Sequence, residues 1–325
     1  MRFRLWATIV ITLASPAWIS AAANHPRETN NAALRYWMAF AEMRDVSADK
    51  TTQELLEKTA AGEMTWDEAK LAPILDANAD AIGIMQRATK LSECDWGLEY
   101  GRGARASIAY APRARALARL NTLAGMRQMA KGDSQSAVNT WLAGIRFSQD
   151  LVHGGTLIFA LMAKATLLPN LRMLAGAARN GQLNEAEKTH VLASVRALPE
   201  DGFDWGAAWE LESVTVEQTL EDLRRAPDPN ASYQAMMGQT APKQGLPPTI
   251  EDIEEYRHYA VAVQAALRRP PSEAKGVIDG LETQKSDLAI VEQNLTPNAQ
   301  KVNRVREEVT TARADLLDVL SVGAK

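Results

Sequence analysis

Apolar residues recur along this chain at three- and four-residue intervals, and no run alternates apolar with polar between hairpin turns, so the pattern predicts an all-α protein. Residues 32–44 form a first predicted helix after Asn30 and Asn31, and residues 52–60 a second. A third, capped by Thr65, begins at Trp66 with Asp67 and Glu68 in its first turn, where carboxylates suit the helix dipole. Its stripe continues, with a break at Pro73, through Ile74, Ile82, Met85 and Leu91. Residues 117–131 and 134–153 read as antiparallel helices joined by Gly132 and Asp133, with Ala137, Trp141 and Gly144 where the two approach closely.

Residues 225–249 keep no period and collect five prolines with Gly238 and Gly245, which marks a boundary. Beyond it three stripes follow: Ile253, Tyr256, Ala260, Val263 and Leu267; then Val277, Leu281, Leu288 and Val291; then Val302, Val305, Val309, Ala312, Leu316 and Val319. Short connections at Pro270–Pro271 and around Pro297 predict an antiparallel three-helix bundle. The expected organisation is a signal peptide over residues 1–23, a helical-hairpin array over 24–225, a linker over 226–248 and the bundle over 249–325.

Gly125, Gly132, Asp133, Ala137 and Gly144 occupy small and turn positions, and the hairpin they define resembles that of tetratricopeptide repeats. A second copy runs from Asn180 through Gly181, Leu183 and Ala186 to Pro199. Gly132 and Gly181 lie 49 positions apart, against a repeat of about 34 in that family, so the array is irregular. The resemblance implies grooves between hairpins that hold a partner. The chain is also loosely similar to uncharacterised secreted all-α proteins of bacteria, which implies export and supplies no activity.

Residues 1–23 carry Arg2 and Arg4, an apolar run from Leu5 to Ala14 and small residues at Ala21 to Ala23, the signature of a cleaved secretory signal. The mature protein is therefore expected in the periplasm or outside the cell, with no transmembrane segment. Its most apolar later stretch, residues 156–169, is interrupted by Lys164 and has the length of a core helix. The single thiol, Cys94, rules out a disulfide scaffold, and a buried, inert thiol is the expected state.

Composition is that of an ordinary globular chain, 46% hydrophobic and 23% charged with net charge −4, which gives no expectation of nucleic-acid binding. The charge is segmented: 8 cations face 14 anions over residues 24–99, 11 face 2 over 100–184, and 13 face 22 over 200–325. Arg102, Arg105, Arg113, Arg115, Arg119, Arg127 and Lys131 occur with no carboxylate between Tyr100 and Gly132. Either the acidic flanks fold over this block, or part of it forms a basic surface for an anionic ligand. Arg113, Arg115, Arg119, Arg127 and Trp141 are the candidate ligand-binding residues.

Catalytic signals are sparse. Glu187 with His190 and Glu255 with His258 form two E-x-x-H pairs, the element from which ferritin-like di-iron bundles hold metal, yet no acidic residue between Asp150 and Glu185 supplies the further ligand. No metal or cofactor is expected. Residues 83–86 look like a fragment of the lytic transglycosylase signature, but that family's Glu-Ser pair is replaced by Glu68-Ala69. Asp-Trp-Gly at residues 95–97 and 204–206, with Trp209, reads as capped turns with core tryptophans. The expectation is thus an exported, non-enzymatic interaction or scaffold protein of the bacterial cell envelope, whose partner is a protein or an anionic component. The alternative is a glycan hydrolase using tryptophans and the carboxylates Glu210, Glu217 and Glu221.

Overall fold

The computed structural model describes residues 29–44, 49–105, 108–238, 240–242 and 245–322; the expected signal segment lies outside them. The helices are α1 (Ala32–Glu42), α2 (Lys50–Ala60), α3 (Glu68–Ala77), α4 (Ala79–Ala88), α5 (Ala111–Ala130), α6 (Ser134–Val152), α7 (Leu157–Arg179), α8 (Glu185–Arg196), α9 (Trp205–Arg225), α10 (Pro229–Met237), α11 (Ile250–Leu267), α12 (Pro271–Gln284), α13 (Ile290–Leu295) and α14 (Ala299–Val322). Short 3₁₀ turns cover Tyr100–Arg105 and Lys285–Asp287. Among the described residues no strand forms; Asn31 and Glu93 make a lone bridge. The protein is all-α.

Local chemistry explains most boundaries. Asp133 caps α6 by accepting from the Ser136 N–H, and Gly132 takes φ +79° in the turn before it. Thr249 and Asp252 form a capping box on α11. The third predicted helix is different from expectation. Asp67 caps α3, accepting from the Lys70 N–H, and Pro73 lies inside it. The break comes instead at Asn78, whose side chain accepts from the Arg44 N–H and donates to the Ile74 carbonyl, tying the bend to the end of α1.

Helices α5, α6 and α7 stack in chain order, and α7 lies at the centre, packed also against α9 and α14. Among the described residues α7 alone is long and apolar enough to cross a membrane, and most of that apolar window is covered by its neighbours. Gly125 lets α5 meet α6 across Trp141, and Gly144 lets α6 meet α7, with Asn170 where a Cβ would be.

The C-terminal helices meet one another through α12 and also pack onto the preceding helices. α11 lies on α9, α12 bridges α11 and α14, and α14 docks on α7 and α8. One core runs continuously from Ala32 to Leu320, across the boundary expected at residues 226–248. In α12 the inward face is Ala274 and Ile278, while Val277 of the expected stripe is exposed; Leu288 and Val291 belong to a separate segment and to α13. The expected linker itself contains α10, opened by Asp228 and Pro229. Its Tyr233 joins Val216 and Leu220 of α9, Ile253 and Tyr256 of α11 and Val291 of α13 in a small satellite core.

Candidate functional site

Most of the basic block is neutralised by the acidic flanks. Arg119 pairs with Glu57 of α2, Arg127 with Glu68 and Asp76 of α3, Lys131 with Glu68, Arg102 with Glu99, and Arg105 with Asp222 of α9. Each such surface pair contributes about 0–1 kcal/mol, so their main effect is to cancel the field. Arg113 donates to the Phe40 carbonyl at the end of α1 and meets no carboxylate among the described residues. Arg115 is exposed, and among the described residues it has neither an ion-pair nor a hydrogen-bond partner.

Arg115 lines a cleft of about 230 Å³ between α2, α5 and α7, together with Arg119 and Ala118 of α5, Glu57 of α2, and Ala165, Thr166 and Pro169 of α7. Burial draws the Arg119 guanidinium below its ordinary value, and Glu57 pushes the other way. Ile158 and Leu161 are exposed, each at 43%, and helical spacing puts them in line with Ala165 and Pro169 on α7. A strip of apolar surface thus leads to a guanidinium pair of which one member is already countered. Of the five predicted ligand-binding residues, Arg115 and Arg119 come together here. Arg127 is committed to α3 and Arg113 to α1. Trp141 is 2% exposed, donates to the Thr122 carbonyl and packs on Gly125, so it presents no surface to a ligand.

The other candidates resolve into structural roles. Glu187 is buried: one carboxylate oxygen accepts from the Asn184 N–H in the α8 capping box and the other from the Ser134 hydroxyl. His190, Glu255 and His258 are exposed, and among the described residues no three metal-ligating side chains converge. Trp96, Trp205 and Trp209 are core residues, at most 7% exposed. Glu210 binds Gln264 and Arg268, Glu217 binds Arg257, and Glu221 binds Arg224.

The sequence gives little notice of a polar knot inside the first core. The Tyr36 hydroxyl donates to the Asp150 carboxylate at 2.5 Å, Arg146 pairs with it at 3.0 Å, and the Trp96 indole donates to the Asp150 carbonyl at 2.7 Å. Trp96 stacks on Tyr110 with ring centres 4.5 Å apart. Burial pushes Asp150 up to about 6 against the pull of Tyr36 and Arg146, and lifts the Cys94 thiol to about 12, which leaves it unreactive. The one available clue is that Asp150 is one of two carboxylates in the cationic block; the other, Asp133, is the α6 cap. Because folded Asp150 holds its proton more tightly than an unfolded aspartate of 3.8, its contribution to stability is full below pH 3.8 and is lost as pH rises to about 6. Asp150→Asn is expected to flatten the stability profile over that window, measured as urea midpoints; an unchanged slope would count against a titrating Asp150.

Compared with protein-family models, with curated proteins and with solved structures, the chain matches none.

Proposed function

We propose that this chain is an exported, non-enzymatic interaction protein that holds an acidic, leucine-bearing segment of a partner in the groove between α5 and α7. The observation that carries this reading is Arg115, an exposed guanidinium with no ion-pair partner among the described residues, which lines a cleft on α7 whose outer face is continued by Ile158 and Leu161. A partner carboxylate supplies the missing charge, and apolar side chains cover the α7 strip. The secretory pattern of residues 1–23 supports export.

The test uses a fluorescein-labelled peptide with Glu and Leu at helical spacing, titrated by anisotropy at low and high salt. Binding is expected to weaken steeply as salt rises and to fall at least about tenfold in Arg115→Glu, the loss of one charge-assisted contact. Arg304→Glu on α14, away from the groove, is expected to leave it unchanged. Glu57→Gln, which frees Arg119, is expected to strengthen binding. Affinity that ignores salt, or that falls equally in Arg115→Glu and Arg304→Glu, rejects the reading.

A further inference from the structure

Glu292 is a further buried carboxylate, and unlike Asp150 it has no partner that receives its ionised form. It is fully buried, and neither carboxylate oxygen has a hydrogen-bond partner. Asp150 has a tyrosine and an arginine to receive it; Glu292 has nothing comparable. Its place explains why. Glu292 is the third residue of α13, the position from which a glutamate reaches back to the helix cap, but Ala289 caps this helix and offers no side-chain oxygen in return. The backbone N–H groups of Ala289 and of Glu292 itself favour the charged form a little, without a hydrogen bond to either carboxylate oxygen.

The charged groups of α11 that act on Glu292 are Asp252 and Glu255, both of the same sign. On its own side, Lys285 is spent on the Thr296 carbonyl and is drawn electrostatically to Glu282. Meanwhile α13 is only six residues long, and its hold on the protein is the satellite core, through Val291 and Leu295. Ile290 is 44% exposed. A short helix with two apolar anchors and one buried acid is a weak link, since ionising the acid opposes the two anchors directly.

We propose that α13 is a pH-released clasp on the satellite core, closed while the Glu292 carboxyl is protonated and opened when it ionises and turns out to solvent. Opening uncovers Ile253 and Tyr256 of α11 and the edge of the α9–α10 contact, without disturbing the continuous core that carries α5 and α7. The device is independent of the groove.

Burial, followed by the charges of Asp252 and Glu255, lifts Glu292 to about 7 from 4.5. The sign follows. The closed form binds the proton more tightly than the open form, so closure is strongest in acid and weakens as pH rises from about 4.5 to about 7, then levels off. Between pH ~5.5 and pH ~8 these two values shift the open-to-closed ratio by roughly 25-fold toward open.

Hydrogen exchange of the full chain, with rates divided by the intrinsic rate at each pH, reads this directly. Amides of residues 290–296 are expected to lose protection by roughly 25-fold between those pH values while α5 and α7 keep theirs. Glu292→Gln, a neutral amide of the same shape, is expected to hold α13 closed at both pH values, and Glu292→Leu to do the same with no polar group at all. Equal protection of residues 290–296 at both pH values in the native chain overturns the clasp. So does a pH-dependent loss that persists in Glu292→Gln and Glu292→Leu, which would place the titrating group elsewhere.

Discussion

Arg306→Met is expected to cost about 3–5 kcal/mol of folding stability at neutral pH, the usual penalty for removing one partner of a buried ion pair. Arg306 is 1% exposed and sits on α14. Its guanidinium donates to Asp201 at 2.7 Å, to the Asn303 side chain at 2.9 Å and to the Arg269 carbonyl. One side chain therefore joins the last helix, the turn before α9 and the connection between α11 and α12. Methionine fills most of the volume and returns none of these bonds. Asp201 is then left with an uncompensated charge in a place where burial already raises it, against the opposing pull of Arg306. The penalty is expected to shrink in acid, because a protonated Asp201 no longer needs a cation. Asp201→Asn combined with Arg306→Met should recover part of the loss, which isolates the stranded charge from the lost packing. Urea midpoints at constant slope measure all three variants, and a loss under about 1 kcal/mol in Arg306→Met would show that the pair is not a clamp.

Gly125→Ala should be nearly as damaging, although it adds a single carbon. A Cβ at this position would stand 2.3 Å from Trp141 Nε1 and within 2.8 Å of two further ring atoms. The indole is buried on α6 and cannot swing aside, so either α5 and α6 separate or the ring tilts and gives up its bond to the Thr122 carbonyl. Overpacking costs about 1–3 kcal/mol and an orphaned buried donor about 1–3 more. Trp141→Ala reaches a similar loss of about 3–5 kcal/mol by the opposite route, an empty space. Gly176→Ala provides the contrast. That glycine lies inside α7 with nothing within 4 Å of its Cβ position, so alanine there should stabilise by about 0.5–1 kcal/mol through helix propensity alone. Thermal midpoints that fall for residue 125 and rise for residue 176 would bear out both assignments; two changes of the same sign would contradict them.

Trp141 also shows where the sequence was legible and where it was not. Its neighbours Gly125, Gly132 and Asp133 are small or turn residues for local reasons, so the α5–α6 hairpin could be read directly; that Trp141 fills the hairpin contact against Gly125, and is not offered to a ligand, follows from the side-chain packing. The C-terminal stripes show the same division. Val302, Val309 and Leu316 announce a buried face, but an amphipathic pattern says that a face is covered and not by what; α12 is one cover, as the bundle reading expected, and α7 and α8 are the others. The segmented charge allowed either acidic flanks over the basic block or a basic surface, and most of the block meets the flanks. Which arginine would be left over was set by geometry, since Arg119 reaches Glu57 and Arg115, one turn earlier, reaches no carboxylate among the described residues. Glu187 read as half of a metal motif because E-x-x-H and N-x-x-E overlap there; Asn184, three residues earlier, was the more informative neighbour. Glu292 carried no signal at all, since its strangeness lies entirely in its surroundings.

The docking of α14 on α7 sets the order in which the molecule can be finished. A polypeptide made from its N-terminus has α5, α6 and α7 long before the 24-residue α14 exists, so the most apolar helix stays open on one flank until residues 299–322 have been made. Leu167 and the Gly202 turn wait for Val309. Local hairpins can form early and dissolve cheaply, but commitment to the native state waits for α14 to dock. Chains cut short before residue 299 should therefore remain sticky and prone to proteolysis, so the docking of α14 doubles as a check on the helices made before it.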